Sequence, residues 1–195
     1  MSTPPRPGFR AALERTGLLG RIAGFDPHVV GTPPLGLDLA GSDIDIVCHA
    51  PDPNAVARLM WDHFGDRQHF LLRRWRAGDR PVIACFTAAG WPFEVFAAPR
   101  PVAEQAGWRH FRAEQRLLAR GGEALRGAAV ARRRAGLKTE PAFAAALGLA
   151  GDPYAALLAL GDDKDAALDR VLAAAGFSGP GRPPEGSGTG RITNG

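Results

Sequence analysis

Apolar and polar positions alternate in two regimes along the chain, mostly with period two before Pro99 and mostly at helical spacing after it. Ahead of both, Phe9, Leu13, Leu18, Leu19 and Ile22 recur on one side of a helical wheel, which predicts a helix over residues 8–23. "HVVGT" is a short strand candidate ending at Gly31, and "PPLGLDLAG" holds too much Pro and Gly for either regular element, so it reads as a loop. "SDIDIVCHA" alternates strictly and predicts a strand. Asp52-Pro53-Asn54 then supplies the start of a helix running to about Phe64. Two further strands, "HFLLRRW" and "PVIACFTA", flank the turn "RAGD", and a third, "PFEVFAA", follows Ala89-Gly90. Beyond Pro101 the spacing predicts helices at about 102–120, 123–135, 139–148, 153–160 and 162–175.

Strands first and helices afterwards indicate an α+β fold, a small mixed sheet flanked by helices and followed by a C-terminal helical bundle. The expected division is an αβ core over residues 1–100, a helical subdomain over 101–176 and a disordered tail over 177–195. That tail, "FSGPGRPPEGSGTGRITNG", has too little apolar mass to offset the entropy of ordering it. A chain of 195 residues is long enough to bury a substantial core.

Composition narrows the setting more than the chemistry. No apolar run is long enough to span a membrane, and "MSTPPRPGFRAALERTG" lacks the charged-then-apolar layout of an export signal, so a cytoplasmic location is expected. Cys48 and Cys85 are the only cysteines; each lies in an apolar run, which suits buried free thiols and provides no zinc site. The net charge of +4 comes mainly from arginine and permits an anionic partner without requiring one.

The chemistry concentrates in Asp43-Ile44-Asp45-Ile46. On a strand the two acids share one face and the two isoleucines the other. Neighbouring carboxylates repel, which pushes one towards protonation unless a cation joins them. Mg²⁺ suits such a place, because it takes one or two carboxylates and completes its shell with water and phosphate oxygens. Glu94 is the lone charge in an otherwise apolar strand and is the third candidate. The plainer alternative is a solvent-facing strand end or an Asp-capped turn.

Gly31-Thr32, a nine-residue spacer and Ser42-Asp43-Ile44-Asp45-Ile46 together resemble the signature of the nucleotidyltransferase superfamily typified by DNA polymerase beta. The resemblance implies that Asp43, Asp45 and Glu94 are the catalytic acids and hold two Mg²⁺, or Mn²⁺ in their place. Glu94 would act as general base or help to bind the catalytic metal. It also implies that Gly31 and Thr32 cradle a triphosphate, with Ser42 adding a donor. Thr32 departs from the usual Ser or Gly, and its methyl narrows the turn. Three blocks, "VGTPPLGLDLAGSDIDIVC", "FEVFAAPRPVAEQAGWRHFRAE" and "GLKTEPAFAAALGLAGDPYAALL", are similar to a bacterial family of unknown function classed as nucleotidyltransferase-like.

In the helical half, Gln105, Arg109, Arg112 and Arg116 fall on one face of the helix expected from Val102. Gln105, Arg109 and His110 are the substrate-binding candidates, while Arg116, Arg120 and the run Arg132-Arg133-Arg134 read as solvated. Lys138 suits a phosphate and joins the nucleotide-binding candidates, beside Thr139 as a helix N-cap. Trp75 and Trp91 are expected to fill the sheet and Trp108 the helix interface. The activity these residues suggest is Mg²⁺-dependent transfer of a nucleoside monophosphate from an NTP to an unknown acceptor. A small molecule or protein is favoured over nucleic acid as that acceptor. The alternatives are a non-catalytic binding or antitoxin-like protein of the same fold, and a basic RNA-binding module.

Overall fold

A computed structural model describes residues 6–177. The expected disordered tail therefore falls, apart from Phe177, outside the described residues. The elements run α1 (Phe9–Thr16), α2 (Leu18–Arg21), β1 (His28–Val30), α3 (Thr32–Leu35), β2 (Ile44–His49), α4 (Pro53–Phe64), β3 (Gln68–Arg74), β4 (Val82–Ala88) and β5 (Trp91–Ala98). Four longer or later helices follow: α5 (Ala106–Arg134), α6 (Thr139–Leu147), α7 (Pro153–Asp162) and α8 (Asp165–Ala174). The five strands form one mixed sheet in the order β1-β2-β5-β4-β3, in which β2 and β5 are parallel and the other pairs antiparallel. This is the α+β architecture the alternation predicts. Among the described residues no helix is long and apolar enough to cross a membrane.

Period-two alternation in β2 and β5 separates two cores. Ile44, Ile46 and Cys48, with Phe93, Val95 and Ala97, face α1, α2 and α4, where Leu13, Leu18, Ile22, Val56, Met60 and Phe64 bury them. Phe64, Phe86 and Phe93 stack in series there, with centroids 4.7 and 5.0 Å apart. Val30, Val47 and Phe96 lie on the other side and pack against α5–α8 through Phe111, Leu117, Leu125, Phe143, Leu157 and Leu168. Each core is an interface between sheet and helices, so the helical half covers the face of β2 that also carries its acids.

Several local expectations change. The first helix breaks at Gly17, which takes a left-handed conformation and starts α2. "TPPL" forms the one-turn α3 rather than continuous loop, because proline is tolerated in a first turn whose N–H groups have no helical partner. Val102–Glu104 is a 3-10 turn and Gln105 is extended, so α5 begins only at Ala106. Gly122, at φ 61° and ψ −156°, interrupts α5 where the spacing predicts two helices. Lys138 rather than Thr139 is the N-cap of α6, and no side chain caps it. Asp52 and Asp152 do cap α4 and α7, accepting from the backbone N–H of Asn54 and Ala155.

Candidate functional site

Parallel pairing of β2 with β5 puts Asp45 directly opposite Glu94, with both side chains on the sheet face turned towards the helical half. Asp43 precedes β2 by one residue and shares that face by alternation. The antiparallel partner of Glu94 on β4 is Cys85, and the partner of Asp45 on β1 is Val30, so the row continues across the sheet. Gly31 closes the end of β1 with φ 75°, and a Cβ there would come within 2.2 Å of Asp45 Oδ2. Only glycine lets that carboxylate lie against the turn.

A cavity of about 760 Å³ opens over this row, a size that accommodates a nucleotide-sized ligand. Gly31, Thr32, Asp43, Asp45, Glu94, Gln105, His110 and Lys138 all contribute to its wall, so the structure gathers eight of the ten residues singled out in the sequence. The other two lie elsewhere. Ser42 is buried beneath the turn, where its Oγ accepts from the Leu39 N–H at 2.8 Å and from the Thr32 hydroxyl at 3.3 Å. It braces the loop between Gly31 and Asp43, and the Thr32 hydroxyl is spent in the same contact. Arg109 sits outside the cavity, ion-paired with Asp162 at the end of α7. Gln105 lines the cavity, but not from the expected helix face: being extended and 2% exposed, it donates from Nε2 to Cys48 O and Arg100 O.

The electrostatics of Asp45 follow from this packing. Burial, with the neighbouring Asp43, Glu94 and Glu140 carboxylates, pushes it up to about 7. Its neighbour is differently placed. Glu94 Oε2 lies 3.6 Å from Arg73 and accepts weakly from the Cys85 thiol at 3.7 Å. Among the described residues no group of three or more His, Cys, Asp or Glu side chains stands arranged to hold a metal ion.

The structure adds residues to the site that the pattern of the sequence passes over. Trp75 is 52% exposed and lines the cavity instead of filling the sheet, because β3 is an edge strand and Trp75 lies just beyond its end. Trp91 is buried and Trp108 packs with Phe111 and His28, as their positions suggest. Arg133, in a run that reads as a solvated helix end, donates to Leu37 O and lines the cavity. Glu114 and Glu140 line it as well. Glu140 lies 3.8 Å from His110 Nδ1, while Nε2 of that histidine donates to Tyr154 O at 3.1 Å. One signal for Glu114 was available, since it stands one helical turn after His110 on the inward side of α5. Arg116 and Arg120 do more than face solvent, binding Asp165 and Asp169 and so tying α5 to α8.

The family described as Domain of unknown function (DUF4269) matches residues 11–160. The chain belongs to that family. No curated protein matches it. Among solved structures, a mutant Cid1 poly(U) polymerase bound to MgATP superposes on this DUF4269 chain with a TM-score of 0.51 at 14% identity, covering 77% of this chain and 47% of that one. Cid1 bound to Mg 3'-dATP gives 0.50 at 16% identity over 76% and 46%. The GLD-2/RNP-8 complex gives 0.47 at 13% over 76% and 55%. The DUF4269 chain spans about half or less of the length of the structures it matches. At these identities the likeness to Cid1 establishes the fold, a five-stranded nucleotidyltransferase-type sheet with helices on both faces.

Proposed function

We propose that this chain is a nucleotidyltransferase that moves a nucleoside monophosphate from an NTP to an acceptor hydroxyl, with divalent metal held by Asp43, Asp45 and Glu94. The observation that carries this reading is the pairing of Asp45 with Glu94 across parallel strands, against a glycine turn, in a cavity that helices cover. Three hard oxygen donors on one face, one of them raised by burial and by its neighbours, form a donor set that a divalent cation relieves. Two Mg²⁺ ions, or Mn²⁺, would fit its chemistry, and the Cid1 structures that share the fold hold Mg-nucleotides.

When bound, the metal supplies charge neutralisation at the triphosphate and a lowered pKa for the attacking hydroxyl. The remaining work belongs to the chain. Gly31 lets the Asp45 carboxylate lie directly against the end of β1, where any side chain would displace it. Lys138, on the helical wall, offers a cationic donor in the same cavity as the acids. Glu94 is the carboxylate assigned to receive the acceptor proton once it leaves the Arg73 contact it makes in the metal-free protein. In-line transfer asks the protein chiefly for position and charge, which two adjacent interior strands of the sheet provide. The division into an αβ core over 1–100 and a helical subdomain over 101–176 belongs to the same proposal: acids from the first, substrate contacts from the second. A small molecule or protein is the favoured acceptor, and an RNA end is the alternative, Cid1 being a poly(U) polymerase.

Incubation with labelled NTP and Mg²⁺ or Mn²⁺, against small-molecule, protein and RNA acceptors, is expected to give metal-dependent transfer. Asp45→Ala should lower it by a factor on the order of a thousand, the scale on which loss of a single charge-stabilising group acts. An unchanged thermal melt with NTP and metal, together with no transferred label, would refute the reading. A second reading, a non-catalytic binding protein of the same fold, draws on the contact of Arg73 with Glu94. Its mark would be a stoichiometric protein partner that co-purifies without turnover.

A further inference from the structure

Gln105 Oε1, Glu114 Oε1 and Arg133 Nε are buried and lack hydrogen-bond partners among the described residues, and all three residues line the cavity of the acids. A native fold pairs nearly all such atoms, so three in one cavity wall point to a ligand that completes them. Gln105 cannot escape by flipping its amide. Its nitrogen faces two carbonyls, Cys48 O at 2.9 Å and Arg100 O at 3.0 Å, which accept only from N–H and leave Oε1 as the free end. The Arg133 guanidinium is likewise fixed by Leu37 O. Glu114 is 3% exposed, and burial followed by the Glu140 charge raises its carboxyl well above the ordinary range, with Arg133 opposing. That environment favours the neutral acid, which is both donor and acceptor.

The wall therefore offers an amide acceptor, a carboxyl that can donate and accept, and a guanidinium donor, with Phe96 and Phe111 as apolar surfaces of the same cavity. A phosphate would be poorly matched to an amide oxygen, and a metal ion to a guanidinium. A flat heterocycle with mixed donors and acceptors along its edge and apolar faces above and below is well matched. We propose that Gln105, Glu114 and Arg133 form a nucleobase-recognition subsite in which Glu114 sets the preference among bases. The identity of the ligand rests on the nucleotidyl-transfer reading, while binding at the subsite requires no catalysis.

The test titrates the four ribonucleosides, without metal, into wild type, Glu114→Ala, Glu114→Gln and Asp45→Asn by NMR, and then repeats the series with Mg-NTPs. One nucleoside should exceed the others by about tenfold or more, the scale of a single paired base-edge contact. Glu114→Ala should erase that preference, Glu114→Gln should keep most of it because an amide mimics the neutral acid, and Asp45→Asn should leave it intact. Since Glu114 Oε1 has no partner among the described residues, Glu114→Gln should also melt no lower than wild type. Uniform nucleoside affinity, a preference that survives Glu114→Ala, or a lowered melt in Glu114→Gln would overturn the subsite and mark these groups as structural. Should the subsite fail while metal-dependent transfer still requires Asp45, the transferase reading stands alone. The reverse result, a base preference without transfer, separates the two in the other direction. Agreement between the favoured nucleoside and the favoured NTP assigns the base to the donor, and disagreement assigns it to the acceptor.

Discussion

The two faces of β2 are built from neighbouring residues and obey opposite rules. On one, Ile44, Ile46 and Cys48 are fully buried in an apolar cluster with α1 and α4. On the other, Asp43 and Asp45 line an open cavity with Glu94, Glu114 and Glu140, where three buried polar atoms lack partners among the described residues. The dry face stabilises the fold, and the wet face costs it stability. A sheet that keeps a buried, mutually repelling acid such as Asp45 beside a well-packed core is arranged for something other than its own folding.

Breaking the dry face should have the largest effect on stability. Ile46→Ala leaves a cavity in a fully packed layer and is expected to destabilise by about 2–5 kcal/mol, measured by chemical denaturation. The same kind of truncation on the wet face should act in the opposite direction. Asp45 titrates at about 7 in the fold and near 3.8 when unfolded. Between those values the folded state binds more protons, so metal-free stability falls as pH rises through this window and stays low above it. Asp45→Asn should remove that loss, raising metal-free stability by on the order of 2 kcal/mol at about pH 8, less at about pH 5, and not at all below about pH 4. A denaturation series across pH checks both the sign and the window. At the periphery little is expected: Arg109→Ala breaks an exposed pair with Asp162 and should cost about 0–1 kcal/mol, with transfer activity unchanged.

What could be read from residue order differs between the same two faces. Alternation revealed β2, β4 and β5, and helical spacing gave α4 and α6 closely and the presence, though not the limits, of α5, α7 and α8, because burial on one side imposes its period on the chain. It also put Asp43 and Asp45 together and made Glu94 conspicuous. Contacts fixed by tertiary packing were not legible. Arg133 sits in a basic run that looks solvated, yet it closes on Leu37 because α5 crosses the loop after α3. Ser42 has the composition of a phosphate ligand but braces its own turn. Gln105 fits a helical wheel that begins one residue after it. Trp75 looks like core until the strand order puts β3 at the edge. In each case the decisive partner comes from a distant part of the chain, and no local period encodes it.

Crystals of the protein soaked with Mn²⁺ and a non-hydrolysable NTP test the central claim most directly. The account predicts anomalous density bounded by the Asp43 and Asp45 carboxylates, with the triphosphate against Gly31 and Glu94 drawn away from Arg73. Nucleotide bound elsewhere, or no metal density while Glu94 stays on Arg73, would contradict it.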